Sequence, residues 1–363
     1  MRQAWLLFLL AAGAWAQGRP APTNVRGAEY PLILPDRRVV FRVNAPEARK
    51  VALLPRGANN GLGEGPYPMQ RDDKGVWSVT TPPVRPGFHY YFLVIDGVMV
   101  CDPASETFFG WARAASGLEV PDPALDFYEQ QDVPHGEIRG RWYRSRVTGE
   151  NRRLYVYTPP GYDRDTTVRY PVLYLQHGSG ESERAWSAQG RLNFILDNLL
   201  AAGKAKPMIV VMENGYAARP GAAGQGPMRG TELFPEVLVN DVVPLIDSRF
   251  RTLAARESRA IAGLSMGAGQ ATDIGFRHPE RFAWVGAFSG GTREFDVKRV
   301  PKSLRLFWLG YGTDETGYAS GKLAHEAMEA AGVRHTWFTT PGAHEWQVWR
   351  KHLGDFAARL FRD

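Results

Sequence analysis

The chain has 363 residues, and 44% of them are hydrophobic, which is enough to bury a sizeable core in two domains or one large one. Its formal net charge is +6, but the basic residues are mostly arginines scattered along the chain, which indicates a solvated surface rather than a nucleic-acid site. Cys101 is the only cysteine, so no intramolecular disulfide can form. No Cys/His cluster has the spacing of a zinc site, and we expect neither a metal nor another cofactor.

The first residues have the pattern of a secretory signal peptide. Arg2 supplies a positive start, an apolar run follows, and Ala14-Trp15-Ala16 forms a small-residue cleavage site. The apolar run is too short to span a bilayer. We therefore predict a signal peptide over residues 1–16 and a mature protein that is secreted or periplasmic and has no membrane segment after cleavage.

Residues 24–121 show short apolar runs separated by turn residues, with no helical periodicity. Asp96-Gly97 followed by another apolar run predicts a β-hairpin. Regular strands of this kind indicate a small immunoglobulin-like β-sandwich. The runs that predict its other strands are Val39–Val43, Lys50–Leu54, Gly75–Thr80 and Phe88–Ile95.

This stretch resembles the immunoglobulin-like domain found before many bacterial esterases, which is related to the glycogen-branching-enzyme type of carbohydrate-binding module. The resemblance rests on Phe-Arg-Val-Asn-Ala-Pro, Gly-Val-Trp, Tyr-Tyr-Phe and Asp102-Pro103. Aromatic side chains here either stack on sugar rings or form the sandwich core, and the sequence leaves both readings open. The residues in question are Trp77, Tyr90, Tyr91, Phe108, Phe109 and Trp111.

A proline-rich, polar stretch over residues 122–134 is predicted to be a linker. Residues 135–363 have a different pattern of apolar residues and are predicted to form a second domain. Nearly continuous apolar runs such as Tyr170–Gln176 indicate strands buried in a parallel sheet. Segments with helical spacing alternate with these strands, as in Arg191–Ala202 and Leu238–Ser248. The alternation predicts a doubly wound α/β sheet, whose functional groups gather at the carboxyl ends of its strands.

Gly263-Leu264-Ser265-Met266-Gly267 follows an apolar run and precedes small residues. This is the pattern of a nucleophile elbow, in which a sharp strand-to-helix turn exposes a serine hydroxyl at the helix N-terminus. Because a G-x-S-x-G match alone also fits a glycine-rich turn, the chemistry depends on the partners of Ser265.

A serine nucleophile needs a base, and the base needs an acid. His344 lies just after the last predicted strand, where an α/β-hydrolase places its histidine, and Asp314 ends the turn after the penultimate strand. The order Ser265, Asp314, His344 is that of α/β-hydrolases. Glu315, next to Asp314, is the alternative acid.

Further site residues are predicted from their positions along the chain. The oxyanion hole is expected to use the backbone N–H of Met266 and that of Ser179, which lies in the loop after an early strand. Trp186, Trp346 and Gln270 are predicted to contact substrate. The tryptophans would form aromatic walls for a flat phenolic acid, although burial in the core is the competing interpretation.

Residues from about 150 to 360 resemble the esterase D-like, feruloyl-esterase-like family, carbohydrate esterase family 1. The resemblance rests on Val-Tyr-Thr-Pro-Pro-Gly-Tyr, Tyr-Pro-Val-Leu-Tyr-Leu-Gln-His-Gly-Ser-Gly, Ala-Gly-Leu-Ser-Met-Gly-Ala-Gly-Gln, Gly-Thr-Asp and Gly-Ala-His-Glu-Trp, in that order. It implies an α/β-hydrolase fold and the triad Ser265, Asp314 and His344. Gln176, Ala268 and Ala343 depart from the residues common in the family.

The resemblance implies a secreted serine carboxylesterase that cleaves feruloyl or acetyl esters on plant cell-wall xylan. An acyltransferase of the same fold, an esterase for another ester such as a siderophore, and a non-catalytic carbohydrate-binding protein are the alternatives. The expected partner is a polysaccharide or small-molecule ester, with no nucleic acid, and a homodimer is left open.

Overall fold

The computed structural model of the protein describes residues 18–218, 230–293 and 295–362. The signal peptide predicted for residues 1–16 lies outside the described residues. By their internal contacts the residues form two compact units. Unit 1 comprises the chain up to Leu125 together with Gly342–Gln347, and unit 2 comprises Asp126–Pro341 and Val348–Asp363.

Unit 1 contains two antiparallel sheets with strand orders β1-β2-β3-β7-β6 and β10-β11-β8-β4-β5, and β9 pairs with β8. The predicted hairpin is confirmed, since Ile95 of β8 pairs with Val98 of β9 across Asp96-Gly97. Both turn residues have positive φ, 48° and 87°, as a tight two-residue hairpin requires. The strands are β1 Arg19–Pro20, β2 Leu32–Ile33, β3 Val39–Asn44, β4 Val51–Pro55, β5 Tyr67–Pro68, β6 Gln70–Arg71, β7 Val76–Thr80, β8 Gly87–Ile95, β9 Val98–Val100, β10 Thr107–Gly110 and β11 Arg113–Val120.

The six aromatic side chains named as candidates for sugar stacking differ in burial. Trp77 and Tyr91 belong to the core, where Trp77 Nε1 donates to Ala45 O at 2.9 Å. Tyr90 and Phe108 are half-buried, and Phe109 and Trp111 are each 44% exposed, so only Phe109 and Trp111 of the six present large apolar surface to solvent. The core interpretation thus holds for Trp77 and Tyr91 and leaves Phe109 and Trp111 as candidates for sugar stacking.

Unit 2 is built on one eight-stranded sheet with the order β12-β13-β15-β14-β16-β17-β18-β19. The strands β12, β13 and β15 pair antiparallel, and all the pairs from β15 to β19 are parallel. This arrangement confirms the predicted α/β-hydrolase fold. The strands are β12 Glu137–Arg144, β13 Asn151–Thr158, β14 Val172–Gln176, β15 Ile209–Glu213, β16 Arg259–Leu264, β17 Trp284–Phe288, β18 Leu306–Gly312 and β19 Thr336–Thr340.

Helices follow the parallel strands along the chain of unit 2. Every residue of β14, β15, β16 and β17 is buried, as expected for strands whose two faces are both covered. The helices are α1 Ala185–Ala188, α2 Leu192–Ala201, α3 Phe234–Glu236, α4 Val243–Arg249, α5 Met266–Arg277, α6 Tyr318–Ala330 and α7 Trp346–Arg359, with a π-helical turn over Val237–Val242 and 3₁₀ turns over Asp126–Tyr128, Arg256–Ser258 and Val297–Arg299.

Two elements differ from the predictions. The helix expected from Leu238 begins earlier, at Phe234, and includes the π-helical turn. Strand β12 was not predicted, because Glu-Ile-Arg-Gly-Arg-Trp-Tyr-Arg lacks the apolar alternation of a half-buried strand. It lies at the edge of the sheet and most of its residues are exposed, so its sequence is not constrained by burial.

Candidate active site

Ser265 lies at the sharp turn between β16 and α5. Its backbone has φ 53° and ψ −113°, a strained conformation for a residue with a side chain. The flanking glycines are required by close backbone approach: a Cβ on Gly263 would lie 2.5 Å from the carbonyl carbon of Gly267, and one on Gly267 would lie 2.5 Å from His177 O. The Ser265 N–H donates to Phe288 O at 2.8 Å and fixes the turn against β17. The geometry is that of a nucleophile elbow.

Asp314 and His344 follow the two strands at the far edge of the parallel sheet. Asp314 comes two residues after β18 and is exposed, and the Thr313 hydroxyl donates to its Oδ1 at 3.2 Å. The Thr313 N–H donates to Thr340 O at 3.0 Å, which ties the end of β18 to the end of β19. His344 follows β19 by four residues and is also exposed. The parallel order therefore brings the carboxyl ends of β16, β18 and β19 to one edge of the sheet.

Glu315, the alternative acid, is occupied by structural hydrogen bonds. Its Oε1 accepts from the Ser289 hydroxyl at 2.6 Å and from the Gly312 N–H at 2.7 Å. The same Ser289 oxygen accepts from Trp349 Nε1 at 2.9 Å. Only 7% of Glu315 is exposed, so this carboxylate holds the ends of β17 and β18 in place while Asp314 faces solvent.

The segment that carries His344 is fixed through its neighbour Glu345. Within unit 1, Glu345 Oε2 accepts from the Gly61 N–H at 3.1 Å, and Oε1 accepts from the Ala343 N–H at 3.2 Å. Arg85 lies 3.4 Å from Oε1 and His89 Nδ1 lies 3.9 Å from Oε2. Glu345 is 7% exposed, so the charge of this buried carboxylate is compensated by the surrounding donors.

The loop after β14, residues 177–180, lies beside Ser265. A Cβ on Gly178 would stand 3.6 Å from Ser265 Cβ and 2.5 Å from Leu264 Cδ1, so a side chain here would have to displace the Leu264 side chain. The Gly178 N–H donates to Glu181 Oε2 at 3.1 Å, and the Gly180 N–H donates to the Tyr216 hydroxyl at 2.7 Å. These bonds fix the backbone on both sides of Ser179, the residue predicted to contribute to the oxyanion hole.

His177 supports this loop and is not placed as a base. Its Nε2 accepts a hydrogen bond from the Gly215 N–H at 3.0 Å, so the ring proton is on Nδ1, which contacts Gly178 O at 2.7 Å. Burial lowers the pKa of His177 and keeps the ring neutral. Gln270, predicted to contact substrate, donates from Nε2 to Gly215 O at 2.9 Å.

A buried ion pair holds the segment after β15, which sequence reasoning missed. Arg152 lies 2.8 Å from Glu213 Oε1 and also donates to the carbonyl oxygens of Asn214 and Tyr216. Burial raises the pKa of the Glu213 carboxyl to about 8, and the Arg152 guanidinium opposes that effect. Through Tyr216 the pair is linked to the loop beside Ser265. The only signal in the sequence was a Glu-Asn-Gly at the end of a buried strand.

The two tryptophans predicted as pocket walls are both buried, with 1% of each side chain exposed. Trp186 Nε1 donates to Gln176 O at 2.8 Å, and its ring contacts Phe288 edge-on at 5.9 Å between centroids. Trp346 Nε1 donates to the Tyr90 hydroxyl at 3.4 Å. Neither indole presents a face on which an acyl group could stack, so burial favours the competing interpretation of both as core residues.

Within residues 18–218, 230–293 and 295–362, no three or more His, Cys, Asp or Glu side chains gather in a group that could hold a metal ion. Over the same ranges no helix is both long and apolar enough to cross a membrane.

Two family models match parts of the chain. The family model described as "Putative esterase" matches residues 145–360, and Carbohydrate-binding module 48 (isoamylase N-terminal domain) matches residues 27–103. An endo-1,4-beta-xylanase/feruloyl esterase of Xylanibacter ruminicola is 40% identical over 350 residues, which are 94% of this chain and 47% of that protein. The chain thus spans about half the length of this curated relative.

Solved structures show the same fold. A ferulic acid esterase from Anaeromyces mucronatus, of carbohydrate esterase family 1 and in complex with ferulic acid, has 26% identity and a TM-score of 0.59 and covers 67% of this chain and 96% of its own. The enterobactin esterase of Shigella flexneri has a TM-score of 0.68 and covers 95% of this chain and 97% of its own. Because its sequence identity is only 17%, this similarity indicates a shared fold and nothing further. Because the family match covers residues 145–360 of 363, the chain belongs to the esterase family, with an α/β-hydrolase fold preceded by an all-β domain related to carbohydrate-binding module 48.

Proposed function

We propose that this protein is a serine carboxylesterase that hydrolyses feruloyl or acetyl esters on xylan through an acyl-enzyme. The observation that carries the proposal is the strained backbone of Ser265 at the turn from β16 to α5, with φ 53°. Such strain at a strand-to-helix turn is tolerated where it exposes a nucleophile. The loop of residues 177–180 lies beside Ser265. An acyl-transfer site needs backbone N–H donors at such a place to stabilise the oxyanion.

In the proposed mechanism Ser265 attacks the ester carbonyl while His344 accepts the hydroxyl proton. Asp314 holds the His344 ring in the required tautomer and stabilises the imidazolium. The N–H groups of Met266 and Ser179 stabilise the oxyanion. His344 then returns the proton to the leaving alcohol, and water cleaves the acyl-enzyme. Asp314 is preferred to Glu315 because the Glu315 carboxylate is already bonded to Ser289 and Gly312.

The proposed substrate class follows the names of the relatives. The Xylanibacter ruminicola protein combines xylanase with feruloyl esterase, and the Anaeromyces mucronatus enzyme was solved with ferulic acid. Aromatic walls from Trp186 and Trp346 are not part of the proposal, because both rings are buried. We include export in it: residues 1–16 direct the protein out of the cytoplasm, and the mass of the mature protein tests this step.

The proposal is tested by steady-state kinetics on methyl ferulate and 4-nitrophenyl acetate with the wild type and Ser265→Ala. The variant is expected to fold normally and to lose nearly all activity, because loss of a triad member leaves only ~10³ to 10⁴-fold catalysis over water. Ser248→Ala, at an exposed serine on α4, is the matched control and should behave as the wild type. A fluorophosphonate should label Ser265 alone, as read by peptide mass spectrometry.

Other outcomes would replace the proposal. Transfer of the acyl group to an added sugar, in place of release to water, would identify an acyltransferase. Faster cleavage of a catecholate siderophore ester than of methyl ferulate or acetylated xylan would identify siderophore esters, rather than xylan esters, as the substrate class. Near-wild-type turnover by folded Ser265→Ala would disprove the proposed mechanism. The absence of any ester cleavage by the wild type would favour a non-catalytic carbohydrate-binding protein.

A further inference from the structure

Unit 2 contains an open groove of about 900 Å³ between β12 and the segment that includes α4. β12 is an edge strand, and in the sheet order it lies four strands from β16, the strand that leads to Ser265. At the usual spacing of about 4.8 Å between strands this is roughly 19 Å. The groove is therefore separate from the proposed catalytic residues.

The groove is strongly cationic. Its lining includes six arginines and only two carboxylates, Asp163 and Asp241, and it includes no lysine. The arginines are Arg139, Arg141, Arg144, Arg146, Arg249 and Arg251. Four of these arginines lie within residues 139–146 of the sequence, and the groove brings Arg249 and Arg251 beside them.

Both carboxylates are already engaged. Asp163 pairs with Arg139. Asp241 is buried and accepts hydrogen bonds from the Ser145 hydroxyl at 2.6 Å and the Val147 N–H at 3.2 Å. Neither oxygen pair is placed to neutralise the other arginines, so the positive charge of the groove remains available to a ligand.

The arginines differ in how they are held. Arg251 is fixed, with its Cζ 3.8 Å from the centre of the Tyr162 ring and its Nε donating to Val168 O at 3.2 Å. By contrast, Arg141, Arg146 and Arg249 are exposed. None of the ion pairs within the described ranges of the chain involves these three guanidinium groups.

Protection of a sheet edge explains only part of this arrangement. Charged side chains on an edge strand prevent pairing with another chain, and Arg141 on β12 serves that purpose. Arg249, however, ends α4 and is not part of a strand. Cations supplied to one groove by two separate elements indicate an anionic ligand.

We propose that this groove binds the carboxylate groups of an acidic polysaccharide, that is, of a chain bearing uronic acid residues. The planar guanidinium matches a carboxylate in a two-point hydrogen-bonded pair, which an ammonium group does not. Pro244 and Leu245 add apolar surface between the arginines, and such surface suits the C–H faces of a sugar ring. The identity of the ligand as a polysaccharide rests on the proposed function, and the groove would hold the polymer whose esters the protein cleaves.

The test is titration of the full-length mature protein with soluble glucuronoxylan, by isothermal calorimetry and affinity electrophoresis, with neutral arabinoxylan as the comparison ligand. The variant combines Arg141→Gln, Arg146→Gln and Arg249→Gln. A control variant combines Lys302→Gln, Arg305→Gln and Arg334→Gln, which are exposed and outside the groove and lower the net charge by the same three units.

The groove variant is expected to bind glucuronoxylan about tenfold or more weakly than the wild type, and the control variant to bind it normally. Binding to the acidic polymer should weaken as salt is added, and binding to arabinoxylan should be equal in all three proteins. If both variants bound glucuronoxylan equally weakly, or if neither bound it more weakly than the wild type, the groove would not be the binding site. Tighter binding of a DNA duplex than of glucuronoxylan would show that the ligand is not an acidic polysaccharide. Hydrolysis of methyl ferulate should be unchanged in both variants, so a failure of the esterase proposal is recognised separately.

Discussion

The Ser289 hydroxyl donates a hydrogen bond to Glu315 Oε1 at 2.6 Å, and this bond is buried at the ends of β17 and β18. Ser289 itself has a positive φ of 55°, so the bond stabilises a strained position. The two adjacent carboxylates therefore have different roles. Glu315 is buried and accepts structural hydrogen bonds, whereas Asp314 is exposed.

The two carboxylates should therefore respond differently to neutral substitutions. Asp314→Asn is expected to leave the free energy of unfolding near that of the wild type and to lower kcat on methyl ferulate by about 10⁴-fold, because His344 loses the partner that fixes its tautomer. Glu315→Gln is expected to cost about 1–3 kcal/mol of stability, since it weakens the bonds from Ser289 and Gly312, while the folded variant keeps most of its kcat. Urea denaturation and initial rates measure both effects, and a folded but inactive Glu315→Gln beside an active Asp314→Asn would reverse the assignment.

The sequence predicted those features that depend on local pattern. Apolar runs located the parallel strands, and the glycines around Ser265 located the elbow, because the required close approach excludes any other residue. The charged strand β12 and the bond from Gly180 to Tyr216 were not predictable in this way. The first is an edge strand without an apolar face, and the second joins residues 36 positions apart through tertiary packing alone.

Burial of Trp186 and Trp346 could not be read from the sequence for a related reason. Both residues are close along the chain to predicted site residues, but proximity along the chain does not determine which way a side chain points. Trp186 satisfies its indole N–H on Gln176 O, and Trp346 does so on the Tyr90 hydroxyl. A large apolar side chain whose N–H has an acceptor inside the protein is stable in the core. Burial of both tryptophans therefore replaces the predicted contact with substrate.

Tyr216 is expected to position the loop beside Ser265. Tyr216→Phe removes the oxygen that accepts from the Gly180 N–H at 2.7 Å and leaves that buried donor unsatisfied. An unsatisfied buried donor costs about 1–3 kcal/mol, so we expect kcat/KM for methyl ferulate to fall by about tenfold as the loop relaxes. Tyr155→Phe, on the half-buried face of β13, is the matched control. Equal activity of the two variants would show that the loop does not depend on this bond.

The buried pair of Arg152 and Glu213 gives a prediction about stability. At pH 9, Arg152→Met leaves the Glu213 carboxylate buried without its cation and should cost about 3–5 kcal/mol of unfolding free energy. The loss should be larger at pH 9 than at pH 6, because a carboxyl with a raised pKa can escape the penalty by taking up a proton only at lower pH. The double variant Arg152→Met/Glu213→Leu should be more stable than the single one in urea denaturation at pH 9. A double variant less stable than the single one would contradict this account.

His177 predicts the direction of a pH effect on folding. Burial lowers its pKa in the native protein below the unfolded value of about 6.5. The unfolded chain therefore binds the proton first as the pH falls, and the stability contributed by neutral His177 is present above about pH 6.5 and is lost below it. In His177→Gln, whose amide oxygen can still accept from the Gly215 N–H, the fall in melting temperature from pH 7.5 to pH 5 should be smaller than in the wild type. Parallel pH profiles for the two proteins would exclude this contribution.

Glu345 is expected to control activity through the position of its neighbour, His344. Glu345→Ala removes the acceptor for the Gly61 and Ala343 N–H groups, so the segment that carries His344 loses its fixed backbone. Since a base must be held near its productive geometry, kcat should fall by about tenfold or more while KM changes little.

Two further variants distinguish positioning from a general loss of stability. Glu345→Gln keeps one acceptor oxygen and should recover part of kcat. Arg85→Ala should have a smaller effect than Glu345→Ala, because the Arg85 side chain is 44% exposed and its distance to the carboxylate, 3.4 Å, is long. The measurement is the kcat and KM of each variant at a temperature where circular dichroism shows all of them folded. If Arg85→Ala and Glu345→Ala lost activity equally, the ion pair rather than the backbone bonds would position His344, and full activity in Glu345→Ala would show that the segment holds its conformation without them.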